Sequence, residues 1–268
     1  MPPPTSLPRP LPPGLLIERA AGRHLLICLD YDGTLSEITP ALNQAYPAAG
    51  AREVIERLVA LPQCQVAIVS GRDIDVLQAL LGISSGLHFA GSHGLELLGP
   101  RDQHTQAPDL AHAIPALDQV RRWLAEHVPA GRGFVVEQKK WSVALHYRLV
   151  PLPLAEALCA DLRAEIASLS PPLRLSEGKM VLEALPAAAD KGQALRALLA
   201  QAHDQPLPIY CGDDLTDEAP FELLREQGIT VLVGSPQRSS HAQYRVADPG
   251  ELVTRLRELA QALETSQA

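Results

Sequence analysis

Two carboxylates stand two residues apart in D30-Y-D-G-T-L35, at the end of the apolar run H24-L-L-I-C-L-D30. A buried strand ending there brings Asp30 and Asp32 to a sheet edge, where both can reach one atom: one as nucleophile, the other as general acid and base. Gly33 gives the chain the freedom to turn sharply after them. Taken alone, such a pair also has a plainer reading as solvent-facing turn acids. A second acidic cluster, G212-D-D-L-T-D217, follows another apolar run and sets Asp213 and Asp217 one helical turn apart. Hard carboxylate oxygens suit Mg²⁺, which takes few carboxylates, keeps several waters and shares a substrate phosphate. The pattern predicts a magnesium site of Asp30 and Asp213 with Asp217 at one remove. Asp214, Asp217 and Glu218 also fit the cap of a helix N-terminus, and the two roles are compatible. Ser70 follows the apolar stretch 65–69, and Lys191 precedes Gly192 at a predicted helix start. Each offers a group that can grip a phosphate oxygen, although either alone is an ordinary surface residue. A nucleophile, a proton carrier and fixed positive charge are what phosphoryl transfer requires.

Positioning these groups takes strands that end at them. Residues 24–30 and 65–70 read as buried strands, with a helix over 49–61 between them that presents Val54, Ile55, Leu58 and Val59 on one face and stops at Pro62. A helix through Val76, Leu77, Leu80 and Leu81 follows, then a short strand and glycine turn at H88-F-A-G-S-H-G94. After about residue 101 the pattern changes. A helix over 109–127 leads to strand-like pairs, 133–140 with 141–148 and 174–179 with 180–185, separated by a helix over 154–169. The order is αββαββ. From Lys191 the βα rhythm returns, with a helix to about 202, a strand at 208–212, a helix over 218–227, a strand at 230–233 and a terminal helix. The expected fold class is α/β, a parallel-sheet core with an inserted α+β module. Residues 1–20 are read as a disordered proline-rich lead-in, 21–106 and 187–268 as the core, and 107–186 as the insert.

Composition bounds the function. Of 268 residues, 46% are hydrophobic and 4% aromatic, which suits an Ala, Leu, Val and Ile core of helices on a buried sheet. A net charge of −8 argues against a general nucleic-acid surface, because such binding draws on Lys and Arg. A small-molecule substrate is expected, with neither nucleic acid nor membrane as partner, and the chain as a monomer. Four scattered cysteines without a C-x-x-C pair suggest no zinc site and no disulfide framework, and point to the cytoplasm. Cys28 and Cys211 read as small buried hydrophobes, and Trp123 and Trp141 as packing residues. The N-terminus carries neither a secretory h-region nor a membrane-length run.

In order and wording, D30-Y-D-G-T-L35, S70-G-R72, K191-G192 and G212-D-D-L-T-D-E218 resemble motifs I to IV of haloacid dehalogenase-type phosphatases. Within that superfamily S70-G-R72, G91-S-H-G94, V136-E-Q-K139, H146-Y-R148 and G178-K-M-V-L-E183 resemble trehalose-6-phosphate phosphatases. The resemblance implies a Rossmann-like core with a C2-type cap. It also implies a Mg²⁺-dependent phosphatase that splits trehalose 6-phosphate into trehalose and phosphate through an aspartyl-phosphate, the last step of trehalose biosynthesis. On that basis Asp30 is the nucleophile and Asp32 the proton carrier. The Asp32 carbonyl joins Asp30 and Asp213 on the metal, while Ser70 and Lys191 hold the phosphoryl group. Glu137, Lys139, Lys179 and Glu183 would bind sugar hydroxyls, with Arg72, His93, His146 and Arg148 as further substrate contacts. Strand alternation puts Lys139, rather than Lys140, on the side of Glu137. Alternation alone would equally make Glu137, Lys139 and Arg148 a solvated strand face, and His93 a buried turn histidine. Two other functions share the core motifs: a phosphatase for sucrose phosphate or mannosylglycerate phosphate, and a non-catalytic sugar-phosphate-binding regulatory module.

Overall fold

The computed structural model of the chain describes residues 6–39, 44–107, 110–170, 173–178, 180–234 and 239–266. The chain forms two compact units, one of residues 1–105 and 190–268 and one of residues 106–189. In chain order the first unit opens with β1 (Arg9–Pro10), α1 (Leu15–Ala20), β2 (Leu25–Leu29), α2 (Ala51–Val59), β3 (Cys64–Val69), α3 (Ile74–Leu81), β4 (His88–Gly91), β5 (Glu96–Leu98) and β6 (His104–Gln106). The second unit contributes α4 (Ile114–His127), β7 (Val135–Gln138), β8 (Val143–His146), α5 (Leu152–Ala167), β9 (Leu173–Gly178) and β10 (Val181–Pro186). The first resumes with α6 (Lys191–Gln201), β11 (Leu207–Gly212), α7 (Glu218–Leu224), β12 (Ile229–Val233), β13 (Tyr244–Val246) and α8 (Pro249–Thr265).

Among the described residues the large sheet has nine strands in the order β1-β13-β12-β11-β2-β3-β4-β5-β6, parallel from β1 to β4, with β5 antiparallel to β4. Its central strands β2, β11 and β12 are buried along their whole length because both faces are covered. Leu25, Ile27 and Leu29 enter the cluster containing Leu16, Val54, Leu77 and Leu256 of α1, α2, α3 and α8. Leu26 and Cys28 enter the opposite cluster with Leu195 of α6 and Phe221 of α7. From β2 the chain proceeds to β3 on one side, while β11 returns on the other. The order of strands therefore reverses between β2 and β11, and an open α/β sheet presents its crevice at the carboxyl ends of such a pair. Asp30 directly follows β2, and Asp213 directly follows β11.

The opening segment departs from expectation. Rather than a disordered lead-in, residues from Ser6 onward pack on the sheet: β1 pairs in parallel with β13, and the Leu11 N–H donates to the Arg245 carbonyl at 2.8 Å. Pro10 is tolerated because an edge strand does not need every N–H. Leu11 and Leu16 are buried in the same cluster as β2, so the segment is ordered by apolar burial that its proline content concealed. The β13 strand and the β5 and β6 extension were also not predicted. Each has only three residues, too few to show a period. All four cysteines are free and buried, and burial pushes the Cys64 and Cys211 thiols up to about 12.

Among the described residues the second unit has a four-stranded antiparallel sheet, β7-β8-β10-β9, with α4 and α5 on one face. Alternation sorts the strands cleanly. Val143 and Leu145 of β8 and Leu182 and Ala184 of β10 pack with Leu117, Val120 and Leu124 of α4 and Leu158, Leu162 and Ile166 of α5. Residues of opposite parity share the other face, where Glu137, Ala144, Glu183 and Ser176 lie in one row across the four strands.

Candidate active site

Asp30 leaves β2 almost fully buried, and its Oδ1 meets Lys191 Nζ at 2.9 Å. Lys191 is the first residue of α6, whose N-cap Asp190 accepts the backbone N–H groups of Gly192 and Gln193. The cap fixes the helix start and thereby the stem of the lysine. The same ammonium lies 2.9 Å from Asp217 Oδ1, which also accepts the Tyr210 hydroxyl at 2.8 Å. The other Asp217 oxygen receives the backbone N–H groups of Asp213 and Asp214, both at 3.0 Å. Asp217 is thus fully engaged by protein donors and shapes the loop that carries Asp213. It also takes part in a capping box with Asp214, so the helix-cap reading and the site reading hold together.

Burial, opposed by the Lys191 charge and reinforced by Asp217 and Asp213, holds the Asp30 carboxyl well above its usual range. Burial alone would push the Lys191 ammonium down, but Asp217 and Asp30 outweigh it and hold the group above its ordinary value. Asp30, Asp213 and Asp217 can bring one oxygen each within 4.8 Å of one another. Three carboxylates against one ammonium leave the cluster negative. Gly33, at φ +80°, lies under the Asp213 carboxylate, and a Cβ there would collide with it. This hard-oxygen, over-negative donor set fits a small divalent cation such as Mg²⁺, with Asp30 and Asp213 as its carboxylates.

Asp32, two residues on, is half exposed and faces Arg72 instead: Nε and Nη2 of Arg72 donate to its two oxygens, each at 2.6 Å. Ser70, at the end of β3, is buried, and its Oγ accepts the Arg72 backbone N–H at 3.2 Å. His93 is also buried, at φ +57°, in the turn after β4. Its backbone N–H donates to the Ser70 carbonyl at 2.8 Å, and its ring fills the space beside Gly71. The first unit therefore gathers Asp30, Lys191, Asp213 and Asp217 into one cluster, and links Asp32, Arg72, Ser70 and His93 by direct contacts. The Tyr210 hydroxyl was missed by sequence reasoning. A tyrosine inside an otherwise aliphatic buried strand was its signal, since a buried hydroxyl needs a partner.

The second unit gathers a different set on its helix-free face. His146 Nε2 and Glu137 Oε2 lie 2.9 Å apart. Glu183 Oε1 accepts both Lys139 Nζ at 2.8 Å and Ser142 Oγ at 2.5 Å. Burial pushes the Glu137 carboxyl up, yet the His146 hydrogen bond and the Lys139 charge outweigh it and hold the group below its usual range. Lys139, as alternation predicted, joins Glu183, whereas Lys140 extends over the Trp141 ring. Ser142 was not anticipated. Arg148 is exposed beyond the end of β8, and Lys179 lies outside the described residues.

A family model described as trehalose-phosphatase matches residues 28–250. The probable trehalose-phosphate phosphatase C of Arabidopsis thaliana is 35% identical over 251 residues, covering 88% of this chain and 77% of that protein. The trehalose-phosphate phosphatase of Mycobacterium marinum is 36% identical over 262 residues, covering 95% of this chain; the chain spans 65% of that relative's length. Among solved structures, the C-terminal domain of the Candida albicans trehalose-6-phosphate phosphatase superposes with a TM-score of 0.80 at 22% identity, over 96% of this chain and 99% of that one. Its likeness carries the fold. With the family match spanning residues 28–250 and the relatives above 30% identity over most of the sequence, the chain belongs to the trehalose-phosphatase family.

Proposed function

We propose that the protein is a phosphatase that hydrolyses trehalose 6-phosphate to trehalose and inorganic phosphate, with Mg²⁺ held by Asp30, Asp213 and the Asp32 carbonyl. The observation that carries the reading is the Asp30–Lys191 pair within a carboxylate cluster at the carboxyl ends of β2 and β11. When bound, the cation neutralises charge on the phosphoryl oxygens. The Lys191 ammonium favours the ionised form of Asp30 against the burial that raises its carboxyl, and with the Ser70 hydroxyl it orients the phosphate. In the first step an Asp30 oxygen forms a bond to phosphorus, the phosphorus–sugar oxygen bond breaks, and Asp32 gives its proton to the departing sugar oxygen. In the second step water attacks phosphorus, Asp32 takes its proton, and the Asp30 carboxylate leaves with its electron pair. Inorganic phosphate is released and both aspartates return to their starting states. The face bearing Glu137, Lys139, His146 and Glu183 is the candidate for sugar recognition, because carboxylates accept from paired hydroxyls and cations donate; Arg148 and, by its sequence motif alone, Lys179 are further candidates.

Purified protein with Mg²⁺ should release phosphate from trehalose 6-phosphate faster than from sucrose 6-phosphate, mannosylglycerate phosphate or glucose 6-phosphate, and chelation by EDTA should stop it. Equal rates across the panel would remove the substrate assignment. Full activity after chelation would remove the metal.

A further inference from the structure

We propose that Arg72 is the positioning residue of Asp32, fixing the carboxylate that carries protons, where sequence reasoning had placed it on the substrate. The proposal rests on the reaction given above. Arg72 donates to both oxygens of Asp32, at 2.6 Å each, and this two-point fork fixes the carboxylate plane as a single contact cannot. Asp32 needs such a hold, since its side chain is 40% exposed while that of Arg72 is 11% exposed.

Arg72 is itself held from several sides. Its guanidinium lies 5.8 Å from the centroid of Tyr31, a buried ring whose hydroxyl is tied to the Ala45 carbonyl at 2.8 Å. Its backbone N–H donates to Ser70 Oγ, and its carbonyl accepts the Ser92 N–H at 2.8 Å. That last contact comes from a turn in which two successive non-glycine residues, Ser92 at φ +50° and His93 at φ +57°, adopt the left-handed conformation. Backbone strain of this kind persists only where surrounding contacts enforce it, and it concentrates at functional sites. The enforcing contacts are visible. Ser92 Oγ donates to Asp73 at 2.6 Å, and the His93 N–H donates to the Ser70 carbonyl. Glycines at 71 and 91 admit the close approach, since a Cβ on Gly71 would collide with the His93 ring and one on Gly91 would press on the Arg72 carbonyl at 3.1 Å. The strained turn and the Ser70 to Asp73 segment are tied together by these contacts, and the guanidinium they carry grips Asp32.

The test exploits the leaving group. A sugar alkoxide must be protonated as it departs, whereas nitrophenolate need not be. Stopped-flow and quenched-flow measurements would follow Arg72→Met, Arg72→Lys and Asp32→Asn with the best-hydrolysed sugar phosphate of the panel and with p-nitrophenyl phosphate. In Arg72→Met, enzyme phosphorylation by the sugar ester should slow by ~10²-fold or more, the range of misplaced acid–base catalysis. The nitrophenolate burst should slow by less than ~5-fold, because that step needs no general acid. Asp32→Asn should reproduce the same split, and Arg72→Lys, with one charge and no fork, should recover only part of the loss. Equal slowing of the two bursts, or a raised KM at unchanged kcat, would overturn the proposal in favour of substrate gripping. Thermal unfolding checks that each variant folds; should Arg72→Met fail to fold, the same split in Arg72→Lys decides. Asp30→Asn separates the two readings: residual turnover there would discard the reaction itself. A dead Asp30→Asn with a leaving-group split in Asp32→Asn but none at Arg72 would discard only the role of Arg72.

Discussion

The acidic centre of the first unit and the helix-free face of the second draw on the same residue types but differ in how acids and bases are matched. Around Asp30, which is buried together with Lys191 and Asp217, three carboxylates crowd one ammonium. On the sheet face of the second unit, Glu137 pairs with His146 and Glu183 with Lys139, one for one, with side chains 10% to 28% exposed. An over-negative buried cluster does not assemble by itself, so the first unit surrounds it with backbone N–H groups, a tyrosine hydroxyl and a capped helix. A balanced set needs only a flat sheet with the right parity.

The strongest way to break this contrast is Asp30→Asn. Turnover should fall by more than ~10⁴-fold, the scale of a lost nucleophile. The melting temperature of the metal-free protein should hold or rise, because the substitution relieves a crowded buried charge; a lower one would mean that the cluster is not over-negative. Lys191→Met works the other way, leaving Asp30 and Asp217 without their shared cation. It should abolish turnover and cost about 3–5 kcal/mol in urea unfolding. Tyr210→Phe removes one donor to a buried carboxylate and should cost roughly 1.5–3 kcal/mol by the same measurement. In the second unit, Glu183→Gln should raise KM for the sugar ester about tenfold while kcat stays within about threefold, as expected for lost ground-state binding. A fall in kcat alone would move Glu183 into the chemistry.

The smallest effect is a pH dependence. Glu137 has a lowered carboxyl value in the folded protein, so the unfolded chain takes up its proton first on acidification. The stabilisation it gives is complete above its unfolded value near 4.5 and is lost as pH falls through the lower folded value. Thermal melts from pH 6 down to pH 3 should therefore fall less steeply for Glu137→Gln than for the unaltered protein. Parallel curves would show that the His146 contact contributes nothing.

Much of this was legible because periodicity and punctuation coincide. The strands ending at Asp30, Ser70 and Gly212 are unbroken apolar runs stopped by polar residues, and the αββαββ order of the second unit follows from alternation and helical spacing. What escaped was decided by contacts distant in sequence. Nothing in a proline-rich stretch says that Leu11 will find the core beside β13, nor that Arg72 will fork onto a carboxylate forty residues earlier. Ser142 escaped because a serine in a hairpin carries no signal until its neighbour across the sheet, Glu183, is known.

The four buried thiols have a practical consequence. Burial raises Cys28, Cys64, Cys159 and Cys211 above the ordinary thiol range, so alkylating reagents should ignore the native protein. Cys159 belongs to the second unit and the other three to the first. Pulse alkylation read by peptide mass would then time the opening of each unit separately, with no introduced label.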